Sequence, residues 1–206
     1  MSESAQKAGG PGIVQVGVQV LRARAPEVPP NEFGKAPLHA LVERMVNAMR
    51  DAPGVGLAAP QLGVSKRVIV LEDRVDYMAR LSSDARAKRG REAFDLLVVV
   101  NPTLEIVGDA RVSFFEGCLS VAGYMAMVER AHDVVLRGLT PDGDPVEWRA
   151  SGWPARIAQH EVDHLDGTLY VDRMRTRTLT ANEHAAGVLT KSEAEVKKLF
   201  RDYDVF

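Results

Sequence analysis

An α+β fold with mainly antiparallel sheets around one central helix is predicted, and three features of the 206-residue chain predict it. Strand-like runs are short, bounded by turn residues, and follow one another rather than alternating with helices. Pro141-Asp142-Gly143-Asp144 lies between His132–Leu139 and Pro145–Ala150, a strong signal for an antiparallel hairpin. Ser151 to Gly167 reads as a helix with both ends marked. Ser151 or Gly152 can cap its start, Pro154 fits the first turn, and Gly167 can take the left-handed stop.

The other elements follow in order. Met1 to Gly12 is small and polar, and disorder is expected there. Ile13–Val20 has β character, and Arg22–Asn31, with three prolines, should be extended loop. Leu38, Leu41, Val42, Met45, Val46 and Met49 recur at helical spacing and should face the core, with Pro53-Gly54 ending that helix. Gly54–Gly63 is too rich in small residues for an ordinary strand, and its glycines leave room for another backbone to approach. Val68–Glu72 reads as a buried strand and Asp73–Asp95 as a charged surface insertion with some helix. Leu96–Val100 is an apolar run of five, a central strand stopped by Asn101-Pro102. Leu104–Val107 and Arg111–Phe115 are expected as a strand pair around Gly108-Asp109. After the capped helix, Leu169–Val171 reads as a short strand, and Val196, Leu199 and Phe200 give the polar stretch Ala181–Phe206 helical spacing.

Composition narrows the function classes. Lys and Arg number 26 against 28 Asp and Glu, a net charge of −2, so no large basic field recruits nucleic acid or an anionic membrane. No apolar run approaches the length of a membrane span. The lone Cys118 rules out an internal disulfide and suits a reducing compartment. Met1–Gly10 lacks both the apolar core of a secretory leader and the arginine bias of a transit peptide. Bacterial cytoplasm is therefore the default location, with an organellar matrix or stroma following if a targeting segment has been removed.

The chemistry concentrates on His160-Glu161-Val162-Asp163-His164. Residues four apart share a helix face, so His160 and His164 point the same way with Glu161 beside them. Two such imidazoles grip one metal ion, and the adjacent carboxylate can take a proton from water. Trp153 and Ile157 extend that face and turn it inward, whereas His39, His132 and His184 read as satisfied core residues. The third ligand separates the hypotheses. A third His six residues after the second, as in one class of zinc proteases, is replaced here by Tyr170. Glu183 would serve in another class of zinc protease but sits in a polar tail. Cys118 is favoured, because a thiolate is a good ligand for zinc or ferrous iron and Gly117 allows a turn exposing the sulfur. A non-enzymatic protein keeping a structural metal is the remaining alternative.

Three stretches together resemble the signature motifs of the peptide deformylase family, in the family's order: Gly54-Val55-Gly56-Leu57-Ala58-Ala59-Pro60-Gln61, Glu116-Gly117-Cys118-Leu119-Ser120 and His160-Glu161-Val162-Asp163-His164. The similarity runs from Ile13 to Thr178, and Phe115–Arg130 and Ala150–Met174 are most similar to the plant-mitochondrial-like branch. The resemblance implies a catalytic domain over 13–178, a short leading segment 1–12 and a partly helical tail 179–206. It implies removal of the N-formyl group from the initiator methionine of new polypeptides, with release of formate. One divalent ion on Cys118, His160 and His164 is implied, Fe2+ physiologically, with Zn2+, Ni2+ or Co2+ as substitutes. Glu161 would move the proton, and the Gln61 amide and Leu119 backbone N–H would hold the formyl oxygen. Val55, Trp153 and Ile157 would line the methionine pocket, and Gly56 would give clearance to a peptide paired with its strand. Glu116 and Arg130 would form an ion pair bracing the Cys118 turn. The partners implied are N-formylmethionyl nascent chains, with transient ribosome contact through Lys191–Arg201 weighed against a solvated helix; oligomeric state stays open. Two departures stand out: Gly17-Val18-Gln19 replaces the family's Gly-Asp-Pro, and Met125 stands where many bacterial members carry an Arg.

Overall fold

Residues 12–79, 81–188, 191 and 193–200 are described by the computed structural model, so the expectation for Met1–Pro11 lies outside the described residues. Among the described residues, six α-helices and six strands alternate irregularly: α1 (Ala36–Asp51), β1 (Gly56–Ala58), β2 (Val68–Asp73), α2 (Val75–Met78), α3 (Ser83–Arg89), β3 (Phe94–Cys118), β4 (Val121–Leu139), β5 (Pro145–Ser151), α4 (Gly152–Leu165), α5 (Tyr170–Arg173), β6 (Thr180–Ala181) and α6 (Glu193–Phe200). The strands form one antiparallel sheet in the order β1-β2-β3-β4-β5, with β6 added to β4. The antiparallel α+β expectation holds.

β2 explains how the sheet is sandwiched. Side chains alternate across a strand, and Val68 and Val70 join the cluster of Leu38, Leu41, Met45 and Met49 from α1. Ile69 and Leu71 enter a second cluster with Ala155, Ile157, Ala158 and Leu165 of α4. The strand is therefore buried throughout, and its first four residues, Val68–Leu71, form a continuous apolar run rather than an alternating one. α1 ends as expected just before Pro53, with Ala52 N–H donating to Ala48 O at 3.2 Å.

Several expectations need correction. β3 is not stopped at Asn101-Pro102 and does not fold back at Gly108-Asp109; it runs on to Cys118, paired with β4 from Val100 onward. Register shifts at Val100/Thr103 and Val107/Arg111 absorb the turn-like residues as bulges. Asn101 takes a left-handed φ of 51°, and its amide is held by Val28 N at 2.8 Å and Val28 O at 2.9 Å. Ile13–Val20 is not a strand. Its amides bond outward instead, Val14 N to Gln61 O at 2.9 Å and Val16 N to Ser120 O at 2.7 Å, before a tight turn at Gln19–Arg22. Leu169–Val171 is the start of α5, because the Asp172 carboxylate accepts from Leu169 N at 2.7 Å and caps a helical turn. His39 and His184 are exposed and His132 is half-buried, none of them in the core and each beside a carboxylate.

α4 begins and ends where the sequence marks it. Ser151 occupies the cap position, but its hydroxyl donates to Asp133 Oδ1 at 2.6 Å instead of closing the helix. Gly167 has φ 73°, and a Cβ there would lie 2.7 Å from Arg22 O. Gly167→Ala therefore combines left-handed strain with a backbone overlap. An expected loss of about 2–4 kcal/mol should appear as a lower urea midpoint at unchanged m-value.

Candidate metal centre

α4 packs against β1 to β5, and its inward face carries Arg156, His160 and His164 at four-residue spacing. Cys118 ends β3, followed by the Leu119-Ser120 turn into β4. Among the described residues, Cys118, His160 and His164 bring ligand atoms within 4.8 Å of one another. Cys118 Sγ lies 3.3 Å from His164 Nε2. His160 Nδ1 bonds Glu116 Oε2 at 3.0 Å, leaving Nε2 to the cluster. One thiol and two imidazoles suit a divalent transition ion, and the carboxylate behind His160 fixes the ring as ligating histidines require. Burial alone would lower the His160 pKa, yet hydrogen bonds with Cys118 and Glu116 hold it well above the usual range. Burial carries His164 in the other direction, well below the ordinary value. Glu183 is exposed beside His184 and takes no part in the cluster.

The Glu116 carboxylate is fully enclosed. Arg130 grips it twice at 2.9 Å, and Arg156 Nη1 reaches Oε1 at 2.6 Å. Burial would raise its pKa, but Arg130, His160 and Arg156 together hold it well below the carboxylate range. Arg130 also donates to Asp163 at 2.5 Å, and Arg173 clasps Asp163 with two bonds of 2.7 Å. The Glu116–Arg130 pair expected from the motif is thus one part of a larger buried network. Arg156 could have been found from sequence, since it stands four residues before His160.

Glu161 is buried, and its Oε2 makes no hydrogen bond among the described residues. Burial pushes its carboxyl up to about 7. Gly56 lies directly against it: a Cβ there would sit 2.4 Å from Glu161 Oε1 and 2.8 Å from Cγ. The clearance expected for a bound peptide is needed first by the chain's own glutamate. Gln61 is oriented by Ala58 N donating to its Oε1 at 2.9 Å, which turns Nε2 toward Cys118 Sγ at 3.6 Å and Ser120 Oγ at 3.2 Å.

These groups open onto a cavity of about 460 Å³, a volume ordinary for a ligand site. Val55, Gly56, Gln61, Cys118, Leu119, Trp153, Ile157, His160 and Glu161 line it, and His164 stands behind. The sequence reading missed Leu81 and Arg89, which the charged insertion contributes, and Tyr124 and Asn182. It also missed Gln15, whose amide donates to Leu119 O at 2.9 Å and accepts from Ala122 N at 3.2 Å, spanning the turn after Cys118. A local pattern reveals none of these, because each arrives through a non-local contact.

A family model described as polypeptide deformylase matches residues 11–179. The chain belongs to the polypeptide deformylase family. Among curated deformylases, the chloroplastic peptide deformylase 1A of Solanum lycopersicum is 46% identical over 179 residues, which cover 87% of this chain and 65% of that protein. The chloroplastic/mitochondrial form of Arabidopsis thaliana is 48% identical over 178 residues, covering 86% and 66%. The chain thus spans just under two-thirds of the length of these plant relatives. The mitochondrial peptide deformylase of Homo sapiens is 46% identical over 168 residues, covering 82% and 69%. A solved class I type b peptide deformylase from Acinetobacter baumannii, with Met-Ala-Ser bound, superposes at a TM-score of 0.70 and 36% identity, covering 79% of this chain and 96% of that one. The expected family resemblance is therefore correct, including its plant and mitochondrial leaning.

Cys118→Ala removes the only thiol of the cluster. Purified wild-type protein should carry about one equivalent of divalent metal and the variant far less, measured by elemental analysis after gel filtration. Equal metal content would contradict the ligand set.

Proposed function

We propose that the chain is a metal-dependent hydrolase that removes the N-formyl group from the N-terminal methionine of newly made polypeptides and releases formate. The observation that carries this reading is one cavity on which the Cys118–His160 wall, the unpartnered Glu161 oxygen and the oriented Gln61 amide converge. The catalytic unit is residues 13–178, built around α4 and its His-Glu-x-x-His motif.

A divalent ion held by Cys118, His160 and His164 would supply Lewis acidity and lower the pKa of water at its open position. Fe2+ is the physiological ion in this reading, with Zn2+, Ni2+ or Co2+ able to replace it. Glu161 takes the proton of the attacking water at its free Oε2 and later delivers it to the leaving amine nitrogen. As the formyl carbon is attacked, its oxygen gains negative charge. Gln61 Nε2 and the Leu119 backbone N–H donate to that oxygen, and each such donor lowers the barrier by about 3 kcal/mol. Ala58 presets the Gln61 amide and Gln15 braces the Leu119 turn, so little reorganisation accompanies the reaction. Val55, Trp153 and Ile157 form part of the apolar wall that receives the methionine side chain, and Gly56 keeps Glu161 in place.

The partners are N-formylmethionyl nascent chains, in a bacterial cytoplasm or an organellar matrix or stroma. Ribosome contact through 191–201 would have to use the surface of α6 left by Val196, which is buried with Phe115 and Met127. Formate release from formyl-Met-Ala-Ser under anaerobic conditions tests the reading. Wild type should turn over, and Glu161→Ala should lower kcat by about 10²–10⁴-fold while retaining its metal. A variant with undiminished turnover would contradict the role of Glu161.

A further inference from the structure

The segment beyond residue 179 lies outside the stretch matched by the family model, yet it packs beside the cavity. Thr178 Oγ1 accepts from Met127 N at 2.9 Å, and Arg175 N donates to Met127 O at 2.9 Å, tying the approach to β4. β6 then pairs with β4 in antiparallel register, Ala181 opposite Tyr124 and Thr180 opposite Met125. Tyr124 and Met125 both line the cavity, and Asn182, the next residue after β6, lines it too. Further on, Val188 and Val196 are buried with Phe115 and Met127, which anchors the segment on the strands beneath the cavity. Glu195 of α6 approaches Lys88 of α3 at 3.6 Å, and α3 also carries Arg89 into the cavity wall. The tail therefore contacts both β4 and the charged insertion.

Resting on the deformylase reading, we propose that this tail completes the substrate site and that Asn182 is a substrate-binding residue which holds the peptide main chain of the second and third residues, beyond the first peptide group. The formyl group must reach Glu161 and Gln61, which are buried. The rest of the peptide must leave by an exposed part of the cavity wall, and Tyr124 and Asn182 stand on one such part. An Asn amide presents donors and an acceptor together, the complement of a peptide group. Such a contact holds the chain without reading its side chains, which fits a substrate whose second and third residues vary. β6 supports Asn182 from behind through its pairing with β4, so the amide is carried on anchored backbone rather than on a free tail.

The test compares kcat/KM for formyl-Met methylamide, which ends at the methionine, with that for formyl-Met-Ala-Ser, using the metal-loaded full chain and N182A. The advantage of the longer substrate should fall at least fivefold in N182A, chiefly through KM. Equal changes on the two substrates, or no change on either, would overturn the proposal. Calorimetry with unformylated Met-Ala-Ser gives a readout without turnover, and its Kd should weaken in N182A by a similar factor. A wild-type chain that releases no formate yet binds Met-Ala-Ser more tightly than N182A would sink the hydrolytic reading while supporting the contact. An unaltered Kd in N182A would overturn the contact whatever the activity.

Discussion

The Glu116 carboxylate is the constraint from which the rest of the site follows. It stands on β3, and it is approached by Arg130 from β4 and by Arg156 and His160 from α4. A carboxylate this deeply enclosed is tolerable only because its oxygens are shared among these donors. Removing one partner from such a group leaves an uncompensated charge and costs about 3–5 kcal/mol. The sheet and the helix are thus locked at one relative position, and Cys118, two residues further along β3, is brought against His160 and His164.

A second layer of constraints holds the loops. The segment after Ile13 bonds to Gln61 O and Ser120 O, and Gln15 spans the Leu119 turn. The two loops that carry Gln61 and Leu119 are in this way tied to one strip of backbone. Gly56 belongs to the same logic, since any larger residue would displace the Glu161 carboxylate. Several residues that set the geometry of the cavity therefore act through their neighbours.

Much of this was legible in the sequence, and the physical reason is locality. The stripe of α1, the β4–β5 hairpin and the marked ends of α4 are written in patterns spanning a turn or two of chain. The grouping of Cys118, His160 and His164 was legible because the two histidines share a helix face and Cys118 is the chain's one thiol. What escaped depends on distant partners. Asn101-Pro102 and Gly108-Asp109 look like strand ends, and only the long pairing with β4 converts them into bulges. Ile13–Val20 has the composition of a strand, but its amides bond to loops rather than to a neighbouring strand. Arg89 and Asn182 lie in polar stretches with no periodic signal, and only the folded chain places them on the cavity.

The central claim is that one sulfur and two imidazole nitrogens hold a divalent ion with a position left for water. X-ray absorption on the metal-loaded protein addresses it most directly. The account predicts one sulfur scatterer at about 2.3 Å, two imidazole nitrogens at about 2.0–2.1 Å if the ion is zinc, and an oxygen that exchanges with added formate. A spectrum without sulfur, or one with a fourth protein ligand and no exchangeable oxygen, would contradict it.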